Sequence, residues 1–184
     1  MEETVRALDG IVRSGKALYV GISNYNKEQT IAAAELFKEL GTPFIINQRK
    51  YSMFVRDIEK DGLKDYAAAH GIGIITFSPL AQGLLTDRYL HGIPEDSRVR
   101  TDGRFLKEAA IVEETLKKVR ALNDLAARED RPWHRCTFVD LKDGDITSVL
   151  IGASKPSQIL DNIGIVHATA FSEEERRRIE EILA

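Results

Sequence analysis

Apolar positions along the chain alternate between a helical rhythm and short continuous runs. From Glu2 to Ser14, Val5, Leu8, Ile11 and Val12 recur at helical spacing, and Gly15 followed by Lys16 supplies a stop. Residues 17–22, Ala-Leu-Tyr-Val-Gly-Ile, form a nearly continuous apolar run that predicts a strand buried on both faces and ending at Ser23-Asn24. Asn26 with Gln29 has the spacing of a capping box, and Ile31, Ala34, Phe37 and Leu40 mark a helical face stopped by Gly41 and Pro43. Phe44 to Ile46 is the second strand, ending at Asn47-Gln48. Leu63, Tyr66, Ala67 and His70 line a third helix ending at Gly71, and Ile72 to Phe77 is a third strand ending at Ser78-Pro79.

The segment from Leu80 to Arg104 has Gly, Pro and charges without a clean period, and its length marks a functional loop or cover. A helix resumes through Ile111, Leu116, Val119, Leu122 and Leu125. Thr147 to Ile151 predicts a fourth strand closed by Gly152, and Ser172 with Glu175 caps a last helix to Leu183. Such alternation calls for parallel strands joined by right-handed helical crossovers, with function gathered at the carboxyl ends of the strands. Those ends are polar: Ser23-Asn24, Asn47-Gln48, Ser78-Pro79 and Gly152-Ala153-Ser154.

At 184 residues the chain is too short for a complete eight-unit α/β barrel, which needs roughly 250. A hydrophobic content of 43% supports a true core, and a net charge of −3 argues against a general affinity for nucleic acid or an anionic membrane. No apolar run reaches the roughly 18 residues of a membrane span. One Cys excludes an internal disulfide, and the four His and one Cys show no metal-ligand spacing. The acidic opening, Met-Glu-Glu-Thr-Val-Arg-Ala-Leu, lacks the basic and apolar regions of a signal peptide, so a cytoplasmic address is expected.

Four stretches, GKALYVGISNY, FIINQRKYSMF, GIITFSPLAQGLLTDRYLHGIPEDSR and SVLIGASKPSQILDN, resemble the aldo-keto reductases. Within that family the resemblance is to the subgroup of bacterial glyceraldehyde 3-phosphate reductases and potassium-channel β subunits. The family fold is a (β/α)8 TIM barrel, so the resemblance implies that residues 1–184 are its C-terminal half, strands five to eight, as one partial cofactor-binding domain. The family's Asp, Tyr, Lys and His tetrad belongs to the other half, and no catalytic residue carries over.

The cofactor side does carry over. The resemblance implies that Ser23, Asn24 and Gln48 face the carboxamide of a nicotinamide, which needs an acceptor and donors in fixed directions. It sets Phe77 against the ring, Ser78, Pro79, Leu80 and Ala81 along the pyrophosphate, and Arg88 and Arg98 on phosphates. Gly152, Ser154, Lys155, Gln158, Asp161 and Asn162 match the adenosine end. Ser154 stands before a helix whose free N–H groups attract an anion, and Lys155 adds charge where a 2′-phosphate would sit, favouring NADPH over NADH.

Taken singly, these residues have plainer readings. Ser23, Asn24 and Ser154 are ordinary helix caps, Gln48 a surface amide, Phe77 a core aromatic, and Arg88 and Arg98 solvated charges. As substitute acids, Tyr19 and Tyr66 are expected in the core, while Tyr25, Tyr51 and Tyr89 lie near the rim without a Lys and His arranged beside them. His91 is expected in a solvated loop, and His70 and His167 at the ends of elements.

Resemblance fails between Glu129 and Asp140, where the family has a helix reading approximately G-Q-T-L-A-Q-M-A-L-S-W. Here the text is DRPWHRCTFV, with Pro132 and no helical period. Two readings stand: a divergent loop, or a shifted frame, since three single-base deletions in a DNA encoding the family-like helix yield residues 129–142. The functional expectation is an NADPH-binding half of an aldehyde or ketone reductase, inactive alone. Its rivals are a catalytically silent nucleotide-binding module like a channel β subunit and the nonfunctional product of a damaged gene. An open half-barrel also predicts self-association.

Overall fold

The computed structural model describes residues 1–104, 106–128, 145–164 and 171–184, with Arg98 and Asp161 placed by their backbone. The choice between loop and shifted frame at 130–140, and the placement of His167, fall outside the described residues.

Local signals act as the sequence predicts. Helix α1 (Glu2–Arg13) ends at Ser14, and Gly15 then turns left-handed at φ 72°. After strand β1 (Val20–Ser23), the Asn26 side chain accepts from the Gln29 N–H at 2.9 Å, and Gln29 Oε1 accepts from the Asn26 N–H at 3.0 Å. This box opens helix α2 (Lys27–Leu40), which Gly41 closes at φ 68°. Strand β2 (Phe44–Lys50), helices α3 (Asp57–Lys60) and α4 (Leu63–Ala69), strand β3 (Gly73–Phe77) and strand β4 (Ser148–Leu150) follow. The four strands form one parallel sheet in chain order.

The chain divides into two compact units. The first holds Met1–Tyr51, Val55–Phe77 and, of its last segment, the described residues 145–150, and so contains the sheet. Its register sets Ile22 beside Asn47 and Asn47 beside Ile74, all buried on the side where Asn47 meets Thr30 of α2. Val5, Val20, Ala33 and Phe37 join Ile22 in a core between α1, β1 and α2. Side chains alternate faces along a strand, so the next lateral row, Ser23, Gln48, Ile75 and Ser148, lies on the other side, exposed or half-buried.

Burial on one face corrects the expectation of a strand buried on both. The pattern along β1 alternates, and Leu18 and Tyr19 precede the strand with 79% and 59% exposure. Tyr19 is therefore not a core residue. Tyr66 is half-buried, with its ring stacked on exposed His70 at 4.1 Å. Strand β2 also runs past the expected Ile46 to Lys50, because Gln48, Arg49 and Lys50 find ladder partners in Ile75, Thr76 and Phe77.

The second unit holds Ser52–Phe54 and the described residues after Phe77, apart from those assigned to the first. It contains α5 (Arg98–Thr101), α6 (Glu113–Arg128), α7 (Pro156–Ile163) and α8 (Glu173–Leu183), the last with its Ser172–Glu175 capping box. Met53, Leu85, Leu122, Phe171 and Ile179 form one buried cluster, and Leu84, Tyr89 and Leu106 another. The segment from Leu80 to Arg104 lacks a helical period because it is built from single turns, at Ala81–Gly83, Asp87–Tyr89 and α5.

Within the first unit, Asn47 Nδ2 donates to the Tyr25 carbonyl at 3.0 Å and to Thr30 Oγ1 at 2.9 Å, tying β2 to the entry of α2. Asn47→Ala leaves that carbonyl without its amide donor and opens a small void. A loss of about 2–3 kcal/mol is expected, measured as a lower urea midpoint at unchanged slope.

Candidate cofactor site

The carboxyl end of β1 is fastened to β2 by one carbonyl. The Asn24 N–H donates to the Gln48 oxygen at 2.9 Å, and Ser23 Oγ donates to the same oxygen at 3.2 Å. Asn24 takes φ 61°, which Asn tolerates better than most side chains. Neither residue caps α2, because Asn26 does. Ser23 and Gln48 share the open face of the sheet. Phe77 stands two residues beyond Ile75, Gln48's partner, and is half-buried on that same face.

In the second unit, the turn after β3 carries strained backbone at Ser78, Ala81 and Gln82, with φ 59°, 48° and 63°. Leu80, at φ −91° and ψ 14°, precedes Ala81 at positive φ, and the Ala81 N–H donates to the Ser78 oxygen at 2.9 Å. Further along, Arg88 is engaged by Asp96, with Nη2 2.8 Å from Oδ1 and 3.0 Å from the backbone oxygen.

Just before α7 the residues that lead into the helix are tied to its first turn. Gln158 Oε1 accepts from the Ser154 N–H at 2.8 Å, from Ser154 Oγ at 3.2 Å and from the Lys155 N–H at 3.1 Å. Gln158 thus holds the approach to the helix, and the Lys155 side chain is exposed. Gly152 is exposed, Asn162 is half-buried on α7, and Pro79 lies in the turn between Ser78 and Leu80.

Two of the rim tyrosines are buried. Tyr51 is buried, and its hydroxyl donates to Glu59 Oε1, while Arg56 Nε and Nη2 donate to Glu59 Oε2 at 2.9 Å and 2.6 Å. Tyr89 is buried beside Leu84 and Leu106, and Tyr25 packs on the core of the first unit. Among the described residues there is no group of three His, Cys, Asp or Glu that would hold a metal ion, and no helix is long and apolar enough to cross a membrane.

The pattern of the aldo/keto reductase family matches residues 1–184. The chain belongs to that family. It is 43% identical over 188 aligned residues to L-glyceraldehyde 3-phosphate reductase of Escherichia coli O157:H7, and 42% identical to that of strain K12. The match takes in 100% of this chain and 54% of each relative, so the chain spans about half the length of these curated reductases. The glycerol dehydrogenase of Gluconobacter oxydans superposes with TM-score 0.75 at 27% identity, covering 100% of this chain and 54% of that one. A thermostable aldo-keto reductase solved with the inhibitor epalrestat superposes with TM-score 0.66 at 22% identity, over 98% of this chain and 54% of that one. A parallel α/β sheet of the aldo-keto reductase barrel type and membership of an oxidoreductase family are thereby shown.

For this family member, Glu59 gives a pH test of the buried tyrosine. Burial by itself would raise its carboxyl, but the hydrogen bonds from Arg56 and Tyr51 outweigh that and hold it below the ordinary value of 4.5. A depressed carboxylate contributes stability that is present above its unfolded value and lost as pH falls through the folded one. Urea midpoints measured from about pH 6 down to about pH 3 are expected to fall in the wild type, and to fall less steeply in Glu59→Gln.

Proposed function

We propose that this chain is the C-terminal, cofactor-holding half of an NADPH-dependent aldo-keto reductase, equivalent to strands five to eight of the barrel. The observation that carries the reading is the polar row at the carboxyl edge of the sheet, where Ser23 and Gln48 share one open face with Phe77 beyond them. The residues fit a nicotinamide there: Gln48 offers both an amide donor and an acceptor, Ser23 and Asn24 add further polar groups, and Phe77 supplies a flat apolar surface. In the second unit, the family resemblance sets Ser78 to Ala81 along a pyrophosphate, Arg88 and Arg98 are cations for phosphates, and Lys155 selects the 2′-phosphate. Gly152, Ser154, Gln158, Asp161 and Asn162 complete the adenosine end.

Bound NADPH would supply a hydride to an aldehyde or ketone carbon. The proton needed at the carbonyl oxygen has no donor in this reading, since Tyr51 is spent on Glu59 and Tyr89 is buried in an apolar cluster. The purified chain is therefore expected to bind cofactor without turning over glyceraldehyde 3-phosphate, the aldehyde for which its curated relatives are named. Measurable NADPH oxidation that survives Tyr25→Phe, Tyr51→Phe and Tyr89→Phe would overturn the missing-acid argument. By calorimetry NADPH is expected to bind more tightly than NADH, and Lys155→Ala to remove roughly 1.5–3 kcal/mol of that binding. Equal affinities for the two cofactors would refute the 2′-phosphate assignment.

The open sheet face supports self-association. Leu150 is 42% exposed, and among the described residues β1 and β4 are the outer strands of the sheet. A second copy, turned about an axis along the strands, would set β4 of each beside β1 of the other with all strands parallel. Sedimentation should show a dimer, and a monodisperse monomer that unfolds cooperatively would exclude it.

A further inference from the structure

Deepening that reading, and resting on it, we propose that Gln82 is a positioning residue for the pyrophosphate turn. Ser78, Ala81 and Gln82 are three non-glycine residues with positive φ within five positions, and Gly83 continues the run at φ 92°. Side chains disfavour this region, so the conformation persists only where its surroundings overdetermine it. Part of the restraint is backbone: the Ala81 N–H donates to the Ser78 oxygen at 2.9 Å, and the Gly83 and Leu85 N–H groups donate to the Leu80 oxygen at 2.9 Å and 3.2 Å. Part is packing, through buried Leu84 and Leu85. The bonds to the Leu80 oxygen and the buried leucines anchor the far end of the turn.

The end nearest β3 is held by the backbone bond from Ala81 to Ser78 and also by a side chain. Gln82 Nε2 donates to Ser78 Oγ at 2.8 Å, bridging the first and last of the three strained non-glycine residues. That bond fixes the Ser78 rotamer with its hydroxyl oxygen accepting, which leaves the hydroxyl proton free to point at a phosphate oxygen. It also spans Leu80 and Ala81, the middle of the turn. Gln82 need not touch the cofactor to act in this way. A turn already bent to its bound shape has less order to acquire on binding, which is where the affinity arises.

Glycine separates the bond from the strain. Gln82→Gly removes the side-chain bond but adopts φ 63° without penalty, so its fold is expected to be retained. Gln82→Asn also tolerates the left-handed backbone, but its amide is one methylene too short to reach Ser78. In the full chain, both variants are expected to bind NADPH about five- to tenfold more weakly, the effect of one hydrogen bond. Adenosine 2′-monophosphate, which lacks the pyrophosphate, is expected to bind them as it binds wild type. Melting curves matching the wild type would accompany both results.

NADPH binding within twofold of wild type in both variants overturns the positioning role and leaves the cofactor reading standing. Equal weakening for both ligands also overturns it, because the effect would then be general. A wild-type chain that binds neither ligand overturns the cofactor reading itself, and this inference with it.

Discussion

The lateral pairing of β2 with its two neighbours is the constraint on which the candidate site depends. Parallel strands present their carboxyl ends along one edge, and the register sets Ser23, Gln48, Ile75 and Ser148 in one row. At the end of that row the Gln48 carbonyl collects two donors, the Asn24 N–H and the Ser23 hydroxyl, so the exit of β1 cannot move independently of β2. Beneath it, Asn47 faces the opposite way and ties the same strand to Tyr25 and Thr30. Adjacent residues of β2 thus do different work because successive side chains point to opposite faces. One supports the fold, and the other is displayed.

The polar groups of the chain divide according to whether they are already satisfied. Gln158 turns its amide oxygen back on the start of α7, and Tyr51 and Arg56 converge on Glu59. Such groups hold the structure and have little capacity left for chemistry. Lys155, by contrast, stands exposed beside its satisfied neighbours, and the open face of the sheet displays Ser23 and Gln48. A constellation of displayed amides, hydroxyls and cations binds and orients well.

Strain is concentrated at the same strand ends. Asn24 follows β1 with positive φ, Ser78 follows β3, and Ala81 and Gln82 lie in the next turn. Regular strands release the chain at these points, and side-chain or carbonyl bonds must then choose a conformation that intrinsic preference disfavours. The Ser78–Gln82 bond is the clearest example.

Much of this was legible in the sequence. The capping boxes at Asn26 and Ser172, the glycine stops at Gly15 and Gly41, the parallel α/β alternation and the family resemblance all rest on local pattern, which short-range sterics and hydrogen bonding decide. The order of the four strands follows from short connections between neighbours. Tertiary structure alone decided which side of each strand is covered: an apolar run such as residues 17–22 reads as buried whether it lies beneath one layer or two, and only packing exposes Leu18 and Tyr19. It also decided the partner of Tyr51. Asn47 and Gln48 were visible as two consecutive amides, but their division between core and open face depends on register. Periodicity reports a residue's neighbours along the chain, whereas a hydrogen bond between side chains is set by the three-dimensional path that brings them together.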